Sequence, residues 1–215
     1  MAGHFEATPD GGAAVALDEV EISILRSLAV QLLELVGPGD EAADGADPLA
    51  ALFAEGPSEP PADPALARLF PDAYGDDDKE LREASSEFRR FTEIDLRARK
   101  REDALAVVRS LDSLSTEGDE GSDGGDADAG ANADEKGGRG GGGELRLTAD
   151  QARQWLGTLN DLRLTIGTRL EVGDEDQDQG GSLYRLPDSD PRKPMVLAYL
   201  WLGALQETLL ETLMR

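Results

Sequence analysis

The stretch that most constrains the fold is Thr148 to Leu170, Thr-Ala-Asp-Gln-Ala-Arg-Gln-Trp-Leu-Gly-Thr-Leu-Asn-Asp-Leu-Arg-Leu-Thr-Ile-Gly-Thr-Arg-Leu. Thr148 followed three residues later by Gln151 has the form of a capping box, in which each side chain satisfies an orphan backbone donor of the other. Trp155, Leu159, Leu162, Ile166 and Leu170 then recur at steps of four, three, four and four. That is one apolar face of a helix, not the alternation of a strand. At 1.5 Å per residue the helix would be about 33 Å long, the span of a small domain. Gly167 inside it costs about 1 kcal/mol relative to Ala, which implies that another backbone approaches there. Asn160, Asp161, Arg163, Thr165, Thr168 and Arg169 crowd the same helix with polar groups. They are either bonded within the fold, as buried polar groups usually are, or they receive a partner. The second reading makes Asn160, Asp161, Arg163 and Arg169 candidate partner-binding residues.

A hub helix of this kind needs other helices to cover it. Leu25, Leu28, Leu32 and Leu35 form a narrow seam ended by Gly37 and Pro38, a cap and a breaker. Pro64 to Pro71 reads as a short helix with Pro at its first position. Lys79 to Leu114 is helical, with a break expected near Phe91-Thr92. Leu81, Ala84, Phe88 and Phe91 mark one face before the break, and Ile94, Ala98, Leu105, Val108 and Leu111 a second after it. The segment after Pro191 is apolar almost all round, with Met195, Val196, Leu197, Tyr199, Leu200, Trp201, Leu202 and Leu205. Such a helix belongs in the middle of a core. Leu183, Tyr184 and Leu186 form a brief extended piece. The expected fold is all-α, an irregular bundle of about five main helices with long acidic disordered loops.

Charge locates the loops. The chain of 215 residues carries net charge −24, from 45 acidic and 21 basic residues. Asp40–Asp63, Glu117–Glu135 and Asp174–Asp178 hold 19 of the acids and no base. Their Gly, Pro and Ala content cannot bury enough apolar surface to offset chain entropy. The expected layout is a flexible tail over 1–16 and one helical domain over 17–215, interrupted by disordered loops at 39–63, 115–143 and 173–182. Leu49, Leu52 and Phe53 could form one helical turn within the first loop.

Several chemistries are set aside. There is no Cys and the single His is His4, so thiolate zinc, disulfide and histidine acid–base chemistry lack residues. Gly138, Gly140 and Gly143 match a dinucleotide pattern only because nearly every residue there is Gly, and the strand and helix such a site needs are not adjacent. Asp174, Asp176 and Asp178 imitate a calcium loop, but Gln179 and Arg185 stand where Gly and a bidentate acid are required. No catalytic residue, metal or cofactor is expected, and the chain reads as no enzyme. The charge-free run from Pro194 to Gln206 is shorter than the roughly 20 residues of a membrane helix, and no signal peptide is visible. A cytoplasmic protein is expected.

The most basic region is Arg89 to Arg109, with Arg90, Arg97, Arg99, Lys100 and Arg101 between. Glu93, Asp95, Glu102 and Asp103 interleave, and Glu93 precedes Arg97 by four, the favourable ion-pair order. A solvated, salt-bridged face is the expectation. Arg90, Arg97 and Arg101 are the candidates should the face meet an acidic protein or nucleic acid instead.

Three blocks carry a family resemblance: Pro64-Ala-Leu-Ala-Arg-Leu-Phe-Pro-Asp-Ala-Tyr74, Glu87-Phe-Arg-Arg-Phe-Thr-Glu-Ile-Asp-Leu-Arg-Ala-Arg-Lys100, and Trp155-Leu-Gly-Thr-Leu-Asn-Asp-Leu-Arg-Leu164 with Gly167-Thr-Arg-Leu170. With Tyr199-Leu-Trp-Leu and Leu205-Gln-Glu, the chain resembles an actinobacterial domain-of-unknown-function family encoded near the proteolytic adaptor ClpS. Its members are known as oxidative-stress transcriptional regulators, AosR. The resemblance implies a non-enzymatic transcriptional regulator acting through protein partners, a sigma factor or RNA polymerase. Alternatives are a DNA-binding regulator using helix 89–109, or a partner in Clp-linked proteolysis. A net negative charge opposes nonspecific duplex binding. Redox sensing through thiols does not carry over, since Met1, Met195 and Met214 are the only sulfur residues. The oligomeric state stays open.

Overall fold

The computed structural model describes residues 3–38, 56–75, 78–119, 142–172 and 186–214. Most of the acidic loops, the Leu49–Phe53 turn, the calcium-like Asp174–Asp178 run and the Leu183–Tyr184 pair lie outside those residues. The described chain is mostly helical, with five helices and a small three-stranded sheet. Its elements are β1 (Glu6–Ala7), β2 (Ala13–Leu17), α1 (Glu19–Val36), α2 (Pro64–Leu69), α3 (Lys79–Asp119), β3 (Gly143–Leu147), α4 (Ala149–Arg169) and α5 (Lys193–Leu213). Among the described residues no helix is long and apolar enough to cross a membrane.

The hub is α4. Thr148 and Gln151 close both bonds of the capping box. Trp155, Leu159, Leu162 and Ile166 are buried, and α4 packs against each of the other four helices and β3. At Gly167 the neighbour is a side chain, not a backbone: a Cβ there would meet the Tyr199 ring at 3.2 Å. Asp18 and Glu21 form a second capping box at α1. Asp63 caps α2 by accepting from Ala65 and Leu66, with Pro64 at the first position, where its missing N–H costs nothing.

Three expectations are corrected. Residues 1–16 do not form a flexible tail where they are described. β1, β2 and β3 pair antiparallel in that order, and Val15 faces Leu145. Ala13, Val15, Leu17, Leu145 and Leu147 are buried, the alternate positions that a sheet turns to one side. Thr8-Pro9-Asp10-Gly11 makes the β1–β2 turn. Gly11 donates to the Thr8 carbonyl and has φ +82, a conformation open to Gly. Phe5 is buried and its ring meets Trp155 edge-on at 5.9 Å. Its N–H donates to Thr208 on α5.

Second, α3 has no break at Phe91–Thr92. No Gly or Pro interrupts Lys79 to Glu117, and Thr92 donates to the Phe88 carbonyl four residues back, satisfied inside the helix. The face read for its first half is outward: Phe88 and Phe91 are exposed, while Ser85, Arg89 and Glu93 are buried. In the second half Ala104, Val107, Leu111 and Leu114 are buried, and Ala98 is exposed. Third, the loop expected over 115–143 yields residues at both ends. Its start continues α3 to Asp119, and its last residue, Gly143, begins β3.

Candidate functional site

Four of the seven basic residues in 89–109 turn their charge to acceptors of the fold itself. Arg89 is buried and donates to Glu93 Oε2 at 2.5 Å, to Asp72 Oδ1 at 2.8 Å and to the Phe70 carbonyl at 3.0 Å. Burial works against its charge, yet the bonds to Asp72 and Glu93 outweigh burial and raise its pKa. Glu93 takes a second guanidinium, Arg97, through Oε1 at 2.6 Å. Arg97 also lies 4.5 Å over the Phe70 ring and donates to the Val36 carbonyl. Arg101 donates to the carbonyls of Leu33 and Gly37. These acceptors are the open end of α1, which has no basic residue in its own last turn. A helix C-terminus carries unpaired carbonyls and about half a negative charge. Arg97 and Arg101 supply from α3 the cations that α1 lacks. Arg90 is half-buried, with its guanidinium 5.9 Å from the Phe91 ring centre and its carbonyl accepting from Gly56.

The polar cluster of α4 divides three ways. Asp161 points inward and receives Lys100 Nζ at 2.6 Å. Burial raises its pKa against the opposing bonds from Lys100 and Asn160. Asp103, nearby on α3, is also raised by burial, opposed by Arg99 and Gln154 and reinforced by Glu102 and Asp161. Asn160 is exposed and accepts from Gln206 at 3.4 Å. Arg163 donates to Gln206 Oε1 at 2.6 Å and lies 5.2 Å over the Tyr199 ring. Arg169 is half-exposed, 3.8 Å from Asp63. Asn160, Asp161, Arg163 and Arg169 therefore do not converge on one ligand. Asn160 and Arg163 share Gln206, Asp161 joins the α3 network, and Arg169 stands apart.

Of the surface grooves among the described residues, two border α5. One, of about 610 Å³, runs between α1, α4 and the start of α5. Leu28, Leu35, Ile166, Met195 and Ala198 line it, and Arg169 and Glu34 also border it. Met195 is exposed. Leu28 and Leu35 are half-buried and pack against the core, as their seam predicts. Met195, expected in the core with the rest of its helix, lies outside it, because an apolar stripe looks the same whether or not a neighbour covers it. The other groove, about 510 Å³, lies along α4 and α5 and is bordered by Arg163, Tyr199, Leu200, Gly203, Glu207 and Leu210.

Known proteins give this geometry a context. The chain is 29% identical over 205 residues to a Mycobacterium tuberculosis (strain ATCC 25618 / H37Rv) protein named Oxidative stress regulator AosR, covering 90% of this chain and 78% of that one. The Mycobacterium bovis (strain ATCC BAA-935 / AF2122/97) protein of the same name matches with the same identity and coverage. No solved structure matches the chain. The model of one family aligns with residues 2–213, from ahead of the hairpin to the end of α5, and the chain belongs to that family, DUF2017, described as a domain of unknown function.

Proposed function

We propose that the protein is a non-enzymatic regulator of the oxidative-stress response, acting by holding a protein of the transcription machinery, a sigma factor or RNA polymerase. The regulatory role follows the name of the mycobacterial relatives. The observation that supports a protein partner is the α1–α4–α5 groove, whose apolar floor is open while the strongest polar groups are turned inward. An amphipathic helix laid into such a groove is a recurring recognition mode. Direct DNA binding through 89–109 loses support because Arg89, Arg97, Lys100 and Arg101 are engaged by the chain's own acceptors.

The test is binding of purified sigma factors and core RNA polymerase from the source organism, with and without oxidant treatment of the cells that supply them. Met195→Glu puts a charge on an exposed groove residue and should leave folding intact. It is expected to weaken the complex about tenfold or more, or 1.4 kcal/mol. No binding to either protein, or equal binding by the variant, would count against this reading.

A further inference from the structure

The last helix is apolar almost all round from Met195 to Leu205 and amphipathic beyond, where Leu209, Leu210 and Leu213 stand against Gln206, Glu207 and Glu211. A helix apolar all round is normally enclosed. Here α4 and the N-terminal strands cover only one side of α5. Val196, Leu202, Leu205 and Leu209 are buried, but Leu197, Leu210 and Met214 are 56%, 45% and 79% exposed. Ala204, Glu207 and Glu211 are exposed between them.

The uncovered face is arranged about its own middle. Gly203 and Ala204 are adjacent small residues at the centre, Ala204 exposed and Gly203 half-buried against the Arg163 guanidinium of α4. Leu197 and Leu210 lie at equal steps on either side of that pair, and so do Leu200 and Glu207. Small residues at a crossing let two helix axes come close. A twofold contact needs one patch to complement itself. Two α5 helices laid antiparallel about Gly203–Ala204 bring Leu197 of one copy into the layer of Leu210 of the other. From Leu197 to Met214 the face is about 26 Å long at helical rise.

Charge selects the occupant. In a chain with more than twice as many acids as bases, Arg163 has no carboxylate partner among the described residues. It is half-buried beside Gly203, where a Cβ would meet its Nε at 3.5 Å. Gln206 takes Nη1, and Nε is buried without an acceptor. Glu207 is exposed on the same groove and has no cation partner among the described residues. In the antiparallel pairing, Glu207 of the second copy falls level with Tyr199 and Leu200, where Arg163 lies over the Tyr199 ring. Symmetry makes the contact twice.

We infer that the outward face of α5 is a homodimer interface, centred on Gly203–Ala204 and closed by two Arg163–Glu207 ion pairs between copies. It uses a different face of α5 from the groove of Met195 and does not depend on the proposed function.

The test is sedimentation equilibrium of the full chain over a wide concentration range, with circular dichroism to check that each variant is folded. The wild type is expected to dimerise. Leu197→Glu with Leu210→Glu, both at exposed positions, should weaken the dimer about tenfold or more. Arg163→Glu alone and Glu207→Arg alone should each weaken it, and the two together in one chain should restore it. A merely structural Arg163 would show no such rescue. A monomer at every concentration, leaving the face to a different protein, overturns the inference. So does a dimer that keeps its affinity in the leucine variant, or one that the charge exchange fails to restore.

Discussion

Glu93→Ala is expected to destabilise the protein by about 3–5 kcal/mol, the cost of removing one partner from a buried ion pair. The side chains of Arg89 and Glu93 are 4% and 3% exposed. Glu93 serves two guanidiniums, Arg89 from four residues before and Arg97 from four residues after. Its removal leaves Arg89 with the half-exposed Asp72 and one carbonyl, and frees Arg97 from the geometry that aims it at Val36. Glu93→Gln keeps the shape and part of the bonding, and should cost less. Urea unfolding followed by circular dichroism at neutral pH reads both. A loss for Glu93→Ala under about 1 kcal/mol, the scale of an exposed pair, would mean that the network is not buried as described.

Trp155→Ala should cost a similar amount, about 3–5 kcal/mol by the usual scale for large aromatics in a core. Trp155 is 1% exposed. Its ring lies at 71° to Phe5, and its Nε1 donates to Ser110 Oγ at 3.0 Å. One side chain thus joins the N-terminal hairpin, α3 and α4. The substitution opens a cavity at that junction and leaves Phe5 without its edge contact. Hydrogen exchange should show lost protection in Val15 and Leu17 as well as in α4. Unchanged exchange in β2 would mean that the hairpin is held independently of the hub.

The hub itself was legible because three independent signals agree on α4: a capping box, a helical period and its length. The seam of α1 and the Pro-initiated α2 were readable for the same reason. The N-terminal hairpin was also written in the chain, in Thr8-Pro9-Asp10-Gly11 between Phe5 and Val15, a turn sequence with a mechanism. Small residues around it hid the signal, since Ala13, Ala14 and Ala16 carry little apolar weight. The partner strand, Gly143–Leu147, lies far along the sequence, and pairing across such a distance leaves no local trace. The orientation of α3 failed for another reason. Phe88 and Phe91 outweigh Arg89 and Glu93 on any hydropathy scale, yet the charged pair is the buried one. Burial there is decided by Asp72, the Phe70 carbonyl and the end of α1, none of them predictable from the helix alone. The candidate residues were found as chemistry but not as a site: Arg97 and Arg101 act as the cap of another helix, and Asp161 as an inward ion-pair partner. The uncovered face of α5 was hidden by its own composition, which reads as core.

That the arginines of α3 serve the fold can be measured directly by comparing urea midpoints of Arg97→Ala/Arg101→Ala, Arg99→Ala and the wild type. Bonds from charged donors contribute about 1.5–3 kcal/mol each, so the double variant should lose several kcal/mol as α1 loses its C-terminal cations. Arg99 is exposed, and its removal should change stability by no more than about 0.5 kcal/mol. Equal midpoints for all three proteins would contradict the account and return the basic helix to the surface.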